Sequence, residues 1–188
     1  MQSIDITHLS GTYAVRRLTS EDVDTVCALC RRNTQYYQYC GSGRVADAED
    51  IRQDMQVTPP HTASEQKYYI GFFDGTSLIA IMDLIRGYPD DDTAFIGFFM
   101  LDIDRQGRGT GSALIAEALD CLQALGCKRC MLGIDRDNPQ SNHFWRKNGF
   151  QIIREAQQER GVILVAEKWL TDADETKQET DYEEDRPM

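Results

Sequence analysis

A glycine-rich loop between a predicted strand and a predicted helix constrains this sequence more than any other feature. The segment Arg105-Gln-Gly-Arg-Gly-Thr-Gly-Ser112 follows an apolar run that ends at Ile103 and opens a stretch with helical spacing. Its glycines permit unusual backbone angles and let the main chain approach a ligand without obstruction by a Cβ atom. The first N–H groups of a helix have no partners within it and favour anions. The loop therefore predicts a phosphate-binding turn between a strand and a helix.

The surrounding pattern predicts a mixed sheet with helices on its faces. Alternating apolar residues and the turn signal Asp74-Gly75 predict hairpins before the loop, whereas a strand–helix–strand order follows it. The predicted strands are Tyr13–Leu18, Lys67–Phe73, Ser77–Arg86, Ala94–Ile103, Arg129–Ile134, Phe150–Glu155 and Val162–Trp169. The predicted helices follow a Thr19 cap, or span about Asp47–Met55, Gly107–Leu125 (with Gly126 as its C-cap) and Asn138–Lys147. A Tyr-rich stretch at 36–39, together with Gly41 and Gly43, is expected to break the helical pattern.

Two common phosphate-binding loops fit this segment poorly. A Walker A loop needs Lys followed by Ser or Thr after its last glycine, and Ser112-Ala113 stands there instead. A dinucleotide fingerprint nearly fits residues 107–112, and Asp135 closes the next strand at roughly the ribose-binding distance. Against that fingerprint, Ser112 replaces the third glycine and antiparallel hairpins precede the loop. A dinucleotide-binding oxidoreductase domain and a merely flexible turn are therefore the weaker interpretations.

Two motifs in order resemble the GNAT superfamily of N-acetyltransferases. The first, Gln106-x-x-Gly109-x-Gly111 after a strand ending in Met100-Leu101-Asp102-Ile103, is similar to the coenzyme A signature of that family. In the second, residues 138–150, an Asn opens a helix and an aromatic residue precedes a terminal Gly-Phe. The predicted element order matches the family over nearly the whole chain. The resemblance implies a single GNAT-like α/β domain over residues 1–170, with an about seven-stranded, largely antiparallel sheet, a central parallel pair and helices on both faces.

The resemblance also implies an activity, the transfer of an acetyl group from acetyl-CoA to a primary amine without a metal. Main-chain groups of Leu101 and Ile103 would bind the pantetheine arm as a neighbouring strand does, and the Leu101 amide would polarise the thioester carbonyl. The pyrophosphate would bind backbone amides of Gln106, Gly107, Arg108, Gly109, Thr110, Gly111 and Ser112. The other side of the arm would be lined by Asn138, Ser141, Phe144 and Trp145.

The proton donor that many family members use is missing from its usual position. The resemblance places that donor, a tyrosine, directly after the position of Phe144, and this sequence has Trp145 there. Because an indole N–H is not a useful acid, another group or water must protonate the departing thiolate, or turnover is weak. This departure supports the main alternative, a non-catalytic protein of the same fold that binds acyl-CoA as a sensor.

Asp83 is the candidate general base. It interrupts the apolar strand Ser77–Arg86, and burial perturbs the pKa of a carboxyl group, as in many catalytic sites. The alternative is a structural carboxylate that pairs with a neighbour such as Arg86 or with a backbone amide. Asp135 ranks second as a base, since it could instead cap the helix near Asn138.

Tyrosines near predicted turns indicate an acceptor pocket for a cationic amine. Tyr36, Tyr37 and Tyr88 can contact such an amine through cation–π interactions, and acidic residues lie close to them in sequence. The same residues fit a core or surface role equally well. The sequence does not distinguish a small molecule from a peptide as the acceptor, and it leaves homodimer formation open.

Charge and hydropathy argue against several other classes of protein. The net charge of the 188-residue chain is −11, and residues 171–188 contain eight acidic and two basic side chains, which predicts an acidic, solvated tail. Neither part offers the basic surface that nucleic-acid binding requires. Apolar runs stay well below the about 18 residues of a membrane span, and the N-terminus does not resemble a secretory signal. We therefore expect no membrane partner and a cytoplasmic location.

Two cysteine pairs have the spacing of zinc half-sites. Cys27 and Cys30 fall within a helical pattern, whereas Cys127 and Cys130 precede and open an apolar strand. Zinc knuckles normally lie in tight turns, and a long stretch of sequence separates these two pairs. We therefore expect free thiols in a reducing compartment and no metal site.

Overall fold

A mixed sheet forms the framework of the protein, whose computed structural model describes residues 3–39, 43–158 and 161–171. The strands are β1 (Ala14–Arg17), β2 (Lys67–Asp74), β3 (Ser77–Arg86), β4 (Thr93–Leu101), β5 (Arg129–Asp135), β6 (Gln151–Gln158) and β7 (Gly161–Trp169). The helices are α1 (Val23–Arg32), α2 (Thr34–Tyr39), α3 (Ala48–Gln56), α4 (Thr110–Ala124) and α5 (Pro139–Lys147). Short 3-10 turns occupy Ile6–Leu9, Ser20–Asp22, Ser64–Gln66 and Ile103–Arg105.

The order of strands across the sheet is β1-β2-β3-β4-β5-β7-β6. Neighbouring strands are antiparallel except β4 and β5, which are parallel and are connected through α4. This arrangement confirms the predicted fold, and it does not fit a dinucleotide-binding domain, which needs successive parallel strand–helix units. The β4–β5 pairing runs only from Thr93↔Arg129 to Ile96↔Leu132, although β4 continues to Leu101.

Apolar cores cover both faces of the sheet. On one face α4 packs against the strands, with Leu114, Ile115 and Leu122 almost completely buried. On the other face α1 and α3 contribute Val26 and Ile51 to a second core. Burial of one such side chain contributes about 1.5–3 kcal/mol, so each face is held by a substantial apolar contact. The helical spacing that predicted the buried face of α4 is confirmed.

Caps that are visible in the sequence determine where two of the helical segments begin. Thr19 forms a capping box with Asp22 at the entry to α1. The Oδ1 atom of Asn138 accepts the Ser141 N–H at 2.9 Å and caps α5. Asn138 is therefore the cap of α5, and the alternative role of Asp135 as that cap is wrong.

The Tyr-rich stretch at 36–39 forms most of α2, so the prediction that it breaks the helical pattern is wrong. Its rings pack rather than face solvent: the Tyr36 and Phe98 rings meet edge to face with centroids 5.6 Å apart. Tyr37 is buried in the core that α1 and α3 cover. Tertiary packing of aromatic rings against the sheet thus overrides the weak helical propensity of these residues.

The loop between β4 and α4 is longer than predicted, because the strand ends earlier and the helix begins later. β4 ends at Leu101 rather than at Ile103, because the side chain of Asp102 accepts a backbone N–H two residues later and turns the chain into a 3-10 helix. α4 begins at Thr110 rather than at Gly107, since the loop glycines before it adopt positive φ angles. Ile103 therefore lies in a turn and not in an extended strand.

A buried ion pair lies within the sheet beside the core of α1 and α3. The Lys67 Nζ and Asp83 Oδ2 atoms are 2.6 Å apart, with side chains that are only 5% and 14% exposed. Burial raises the pKa of Asp83, and the Lys67 ammonium opposes that rise. The partner of Asp83 is thus Lys67 and not Arg86, whose guanidinium donates to the Leu125 carbonyl.

The cysteine thiols lie apart from any cluster that could hold a metal. Cys27, Cys30, Cys127 and Cys130 are buried and free, and burial raises the pKa of each thiol. Among the described residues, no group of three or more metal-ligating side chains occurs. None of the helices within the described ranges has the length and apolar character that a membrane crossing requires. The predicted acidic tail, apart from Thr171, lies outside the described residues.

The Lys67–Asp83 pair predicts a pH-dependent loss of stability. Lys67→Met should lower the free energy of unfolding by about 3 kcal/mol near neutral pH, because it leaves a buried carboxylate without a counter-charge. The pKa of Asp83 then rises further, so the lost stability should return as the pH falls and the carboxyl group takes up a proton. Urea denaturation at several pH values measures both effects.

A matched control is Lys128→Met, which removes the exposed Lys128–Asp92 pair, whose nitrogen and oxygen atoms are 3.3 Å apart. It should cost less than about 1 kcal/mol at every pH. A Lys67→Met loss that is equally small, or that does not change with pH, would contradict the assignment of a buried pair.

Candidate active site

A cleft of about 390 Å³ opens where β4 continues beyond its pairing with β5. β4 forms one wall, α5 forms the other, and the glycine loop before α4 closes one end. Of the residues predicted to bind coenzyme A, those that line the cleft are Leu101, Gln106, Gly107, Gly109, Gly111, Ser112, Asn138, Ser141, Phe144 and Trp145. The fold thus brings both sequence motifs to a single cavity.

The edge of β4 presents main-chain hydrogen-bonding groups to this cleft. Ala80 lies opposite Leu101, and the Asp102 N–H donates to the Ile79 carbonyl, so Leu101 itself makes no main-chain bonds to β3. Bonding alternates along an antiparallel pair, which places the N–H and C=O groups of Phe99 on the same side as those of Leu101. Along this edge the Leu101 carbonyl accepts a bond from the Gln106 side chain, while the main chain of Phe99 and the Leu101 N–H have no strand partner in β5.

The glycine loop shapes the end of the cleft. Gly107 and Gly109 have φ angles of 71° and 85°, values that residues with a Cβ atom rarely adopt. Gly109 occupies the N-cap position of α4 and carries no side chain that could bond the first helical N–H groups. Those N–H groups and the helix dipole together provide an anion site. At Gly111, a Cβ atom would lie 3.1 Å from the Phe144 ring, so a side chain there would press on that ring where α4 and α5 approach closely.

Aromatic rings from β4 and α5 line the cleft. The Phe99 and Phe144 rings stack with centroids 5.9 Å apart, and Trp145 lies edge-on to Phe144 at 5.0 Å. Phe150 packs on the far side of Trp145 at 5.1 Å. This cluster joins α5 to β4 and holds the two sides of the cleft at a defined separation.

Gln106 connects three elements around the cleft. Its Nε2 atom donates to the Leu101 carbonyl at 3.0 Å and to the Asn33 Oδ1 atom at 2.7 Å. Its Oε1 atom accepts a bond from the Gln140 side chain on α5 at 3.1 Å. The side chain of Gln106 thereby positions the loop relative to α1, β4 and α5, a role beyond the backbone contact predicted for it.

β4 and β5 separate beyond the pair Ile96↔Leu132, and we call this place the fork. A second, smaller cavity of about 50 Å³ adjoins the cleft at the fork. Gly97 and Gly133 line it from the two strands, together with Asp135 at the end of β5. The strand register skips Gly97, since Phe98 lies opposite Asp83 and Ile96 lies opposite Leu84. Gly97 is therefore the extra residue of a β-bulge, which bends β4 away from β5.

Asp83 lies directly behind this bulge. A Cβ atom at position 97 would be only 2.8 Å from the Asp83 Oδ2 atom, so the carboxylate packs against the Gly97 backbone. Asp83 itself lines neither cavity, and its Oδ2 atom already accepts the bond from Lys67. Its Oδ1 atom is buried without a hydrogen-bond partner. The predicted base is thus separated from the small cavity by Gly97, whereas Asp135 lines that cavity directly.

Several residues predicted for the site lie elsewhere. Ile103 is exposed in the 3-10 turn, and its carbonyl accepts the Gln106 N–H, so strand-like pairing is not available there. Arg108 and Thr110 belong to the loop and the first turn of α4, but their side chains do not line the cleft. Among the three tyrosines only Tyr36 reaches the cavities.

The other two tyrosines do not join Tyr36 in an acceptor pocket. Tyr37 is buried in the core beside α1. Tyr88 packs edge-on against Phe95 in the turn between β3 and β4, with ring centroids 5.5 Å apart. That turn adjoins Thr93, where the β4–β5 pairing begins, which is the opposite end of β4 from the cleft.

Sequence analysis missed several residues that line the main cleft, namely Asn33, Phe99, Met100, Gln140, His143 and Lys147. The role of Phe99 could have been inferred from the two-residue period of a strand, because residues two apart share an edge as well as a face. His143 and Lys147 lie one turn apart on α5, so helical spacing would have placed them together. Asn33 carried no comparable signal, since it reaches the cleft only through the packing of α1.

Residues 30–150 match the Acetyltransferase (GNAT) family. A forked parallel pair, a glycine loop that opens a helix and an unpaired strand edge are the features of the structure that lie within this match. The chain therefore belongs to the GNAT family and is an enzyme of the N-acetyltransferase class.

Similar proteins agree with this assignment. The L-2,4-diaminobutyric acid acetyltransferase of Nocardia farcinica (strain IFM 10152) is 28% identical over 133 residues, which cover 64% of this chain and 69% of that protein. An acetyltransferase from Thermus thermophilus has a similar structure, with a TM-score of 0.65 at 20% identity over 86% of this chain and 99% of that chain. The PaiA N-acetyltransferase from Thermoplasma acidophilum was solved in complex with coenzyme A. Its structure gives a TM-score of 0.58 at 18% identity, over 82% of this chain and 97% of that chain. These two structural likenesses show the shared fold.

Proposed function

We propose that the protein transfers an acetyl group from acetyl-CoA to a primary amine by direct attack of the amine on the thioester. One observation carries the proposal: a cleft runs from the glycine loop, along β4 beyond its pairing with β5, to a small cavity that Asp135 lines. Such a path matches the three parts that the reaction requires, namely an anion site, a groove for an extended arm and a pocket for a cationic acceptor.

The glycine loop and the edge of β4 would hold acetyl-CoA. The pyrophosphate would bind the N–H groups of the first turn of α4, where Gly109 leaves the helix end open to a ligand. The amide groups of the pantetheine arm would pair with the main chain of Phe99 and Leu101, in place of a further strand. An N–H group on this edge would also stabilise the oxyanion that develops on the thioester carbonyl.

The small cavity would receive the acceptor amine. Asp135 lines it, and its carboxylate favours a cationic group. Asp83 remains the proposed base; since it lies behind Gly97 and lines neither cavity, it would take the proton through a water and not by direct contact with the amine. Burial raises the pKa of Asp83, which makes this carboxylate a better proton acceptor than an exposed one. The Lys67 ammonium keeps the side chain oriented while the amine approaches.

The class of acceptor follows from the size and charge of this cavity. A volume of about 50 Å³ next to a carboxylate suits the amino end of a small molecule better than a large rigid surface. The relative from Nocardia farcinica is named for L-2,4-diaminobutyric acid, a diamine of suitable size. We therefore propose a small, cationic amine as the acceptor and L-2,4-diaminobutyrate as the first compound to test.

A non-catalytic acyl-CoA sensor is the second candidate. It is favoured by one observation: Trp145 lines the junction of both cavities and supplies no acid of use to the departing thiolate. Turnover separates the two candidates, because a sensor would bind coenzyme A and release no thiol from acetyl-CoA with any acceptor.

Gly109→Ala should weaken the binding of coenzyme A by about tenfold or more, because an αL backbone costs other residues about 1–2 kcal/mol and the helix end must shift to relieve it. Gly126→Ala is a matched control, since Gly126 has the same φ of 85° and open space around it but lies at the other end of α4. Both variants should lose similar stability in thermal unfolding, whereas isothermal titration with coenzyme A should detect a weaker affinity only for Gly109→Ala. Equal affinities in both variants would refute the anion site.

The carboxylates should affect different kinetic parameters. Asp83→Asn should lower kcat by about 10²-fold through the loss of a base, whereas Asp135→Asn should mainly raise the KM of the acceptor. The measurement is thiol release from acetyl-CoA with L-2,4-diaminobutyrate, polyamines, aminoglycosides, amino acids and peptides. Thermal unfolding of each variant checks that the protein is folded.

The result can contradict each part separately. An unchanged kcat in folded Asp83→Asn removes that residue as the base. Coenzyme A binding without thiol release for any acceptor favours the sensor, and a failure of the wild-type protein to bind coenzyme A contradicts the central proposal.

A further inference from the structure

We infer that Tyr36 donates the proton that the departing thiolate of coenzyme A takes up. The inference rests on the proposed function and deepens it, because it assigns the acid that the sequence lacks at Trp145. It also changes the role of Tyr36, which the sequence suggested only as a contact for the acceptor.

The position of Tyr36 carries the inference. The side chains common to the cleft and the small cavity are Tyr36, Phe99, Ser141 and Trp145. These residues surround the place where an arm along β4 meets an acceptor in the small cavity. The carbon–sulfur bond that breaks must lie at this junction, and a proton donor for the sulfur must lie within hydrogen-bond reach of it.

Among these four side chains, Tyr36 is the suitable acid. Phe99 has no polar atom, and the Trp145 indole is a donor that does not give up its proton in water. A serine hydroxyl such as that of Ser141 is a far weaker acid than a phenol. His143 lines the cleft but not the small cavity, so it lies to one side of the junction.

The fold holds the Tyr36 ring in place. The Tyr36 N–H donates to the Asn33 carbonyl at 3.1 Å, and the buried Asn33 side chain accepts the bond from Gln106. The ring meets Tyr37 edge to face with centroids 5.1 Å apart and contacts Phe98 on β4 in the same manner. The glycine loop and the backbone of α2 are therefore linked through Asn33, and the contacts with Tyr37 and Phe98 hold the Tyr36 ring beside the junction.

The step balances without a further reactant. The amine nitrogen forms a bond to the thioester carbon and loses its proton to the base, and the carbon–sulfur bond breaks. The sulfur takes the phenol proton of Tyr36 and leaves as the free thiol of coenzyme A. Solvent then returns a proton to the phenolate, and the base releases its own to solvent.

Tyr36→Phe removes the hydroxyl group and keeps the ring. It should lower kcat by about 10²-fold and leave the affinity for coenzyme A unchanged. The alkaline limb of the pH–kcat profile should disappear, because wild-type activity requires a protonated phenol. The other titratable side chains that line the cavities are Asp135, His143 and Lys147, and all three are retained in this variant.

Two further variants separate a chemical role from a structural one. Tyr88→Phe also removes one phenol hydroxyl but lies outside both cavities, so its kcat should equal that of the wild-type protein. Trp145→Tyr in the Tyr36→Phe background places a phenol on the opposite side of the same junction, and it should restore kcat at least about tenfold.

The outcomes also distinguish this inference from the proposed function. A wild-type protein that releases no thiol with any acceptor contradicts the proposed function before any variant is made. With an active wild-type protein, a Tyr36→Phe kcat within about twofold of wild type overturns the inference. A lower kcat that keeps the alkaline limb of the profile overturns it as well, because that result indicates a structural role.

Discussion

The end of the β4–β5 pairing at Ile96 is the constraint on which the rest of the site depends. Backbone groups without a strand partner require another one, and the N–H and C=O groups of Phe99 and Leu101 face the cleft instead of β5. The bulge at Gly97 bends β4 away from β5. The ring of Trp145 on α5 meets the ring of Phe99 on β4 edge to face. An interrupted parallel pair thus leaves a groove with main-chain groups of β4 along one wall.

The two carboxylates near the fork between β4 and β5 lie at different distances from the small cavity. Asp135 faces the small cavity, whereas Asp83 is held behind Gly97 by Lys67 in the interior of the sheet. A buried carboxylate without a counter-ion would be costly, and the Lys67 ammonium offsets that cost. The glycine at 97 serves both features, because it forms the bulge and leaves room for the carboxylate of Asp83.

Features with local causes were predictable. The glycine loop, the Asn138 cap and the apolar face of α4 follow from backbone freedom, side-chain capping and helical spacing, which act over a few residues. The predicted end of β4 at Ile103 was wrong for an equally physical reason: the Asp102 side chain turns the chain one residue after Leu101. The packing of α2 against Phe98 depends on contacts between residues far apart in sequence, so local propensity did not predict it.

The sequence by itself determined the order of the elements, the anion-binding loop and the family, because each has a signature within a short stretch of chain. Only the tertiary structure decided which side chains meet at the fork. Asn33 and Tyr36 arrive from the layer of α1 and α2, and Gln140 arrives with α5 from the other side of the cleft. Their meeting depends on how two layers pack on opposite faces of one sheet, and no local pattern in the sequence records that geometry.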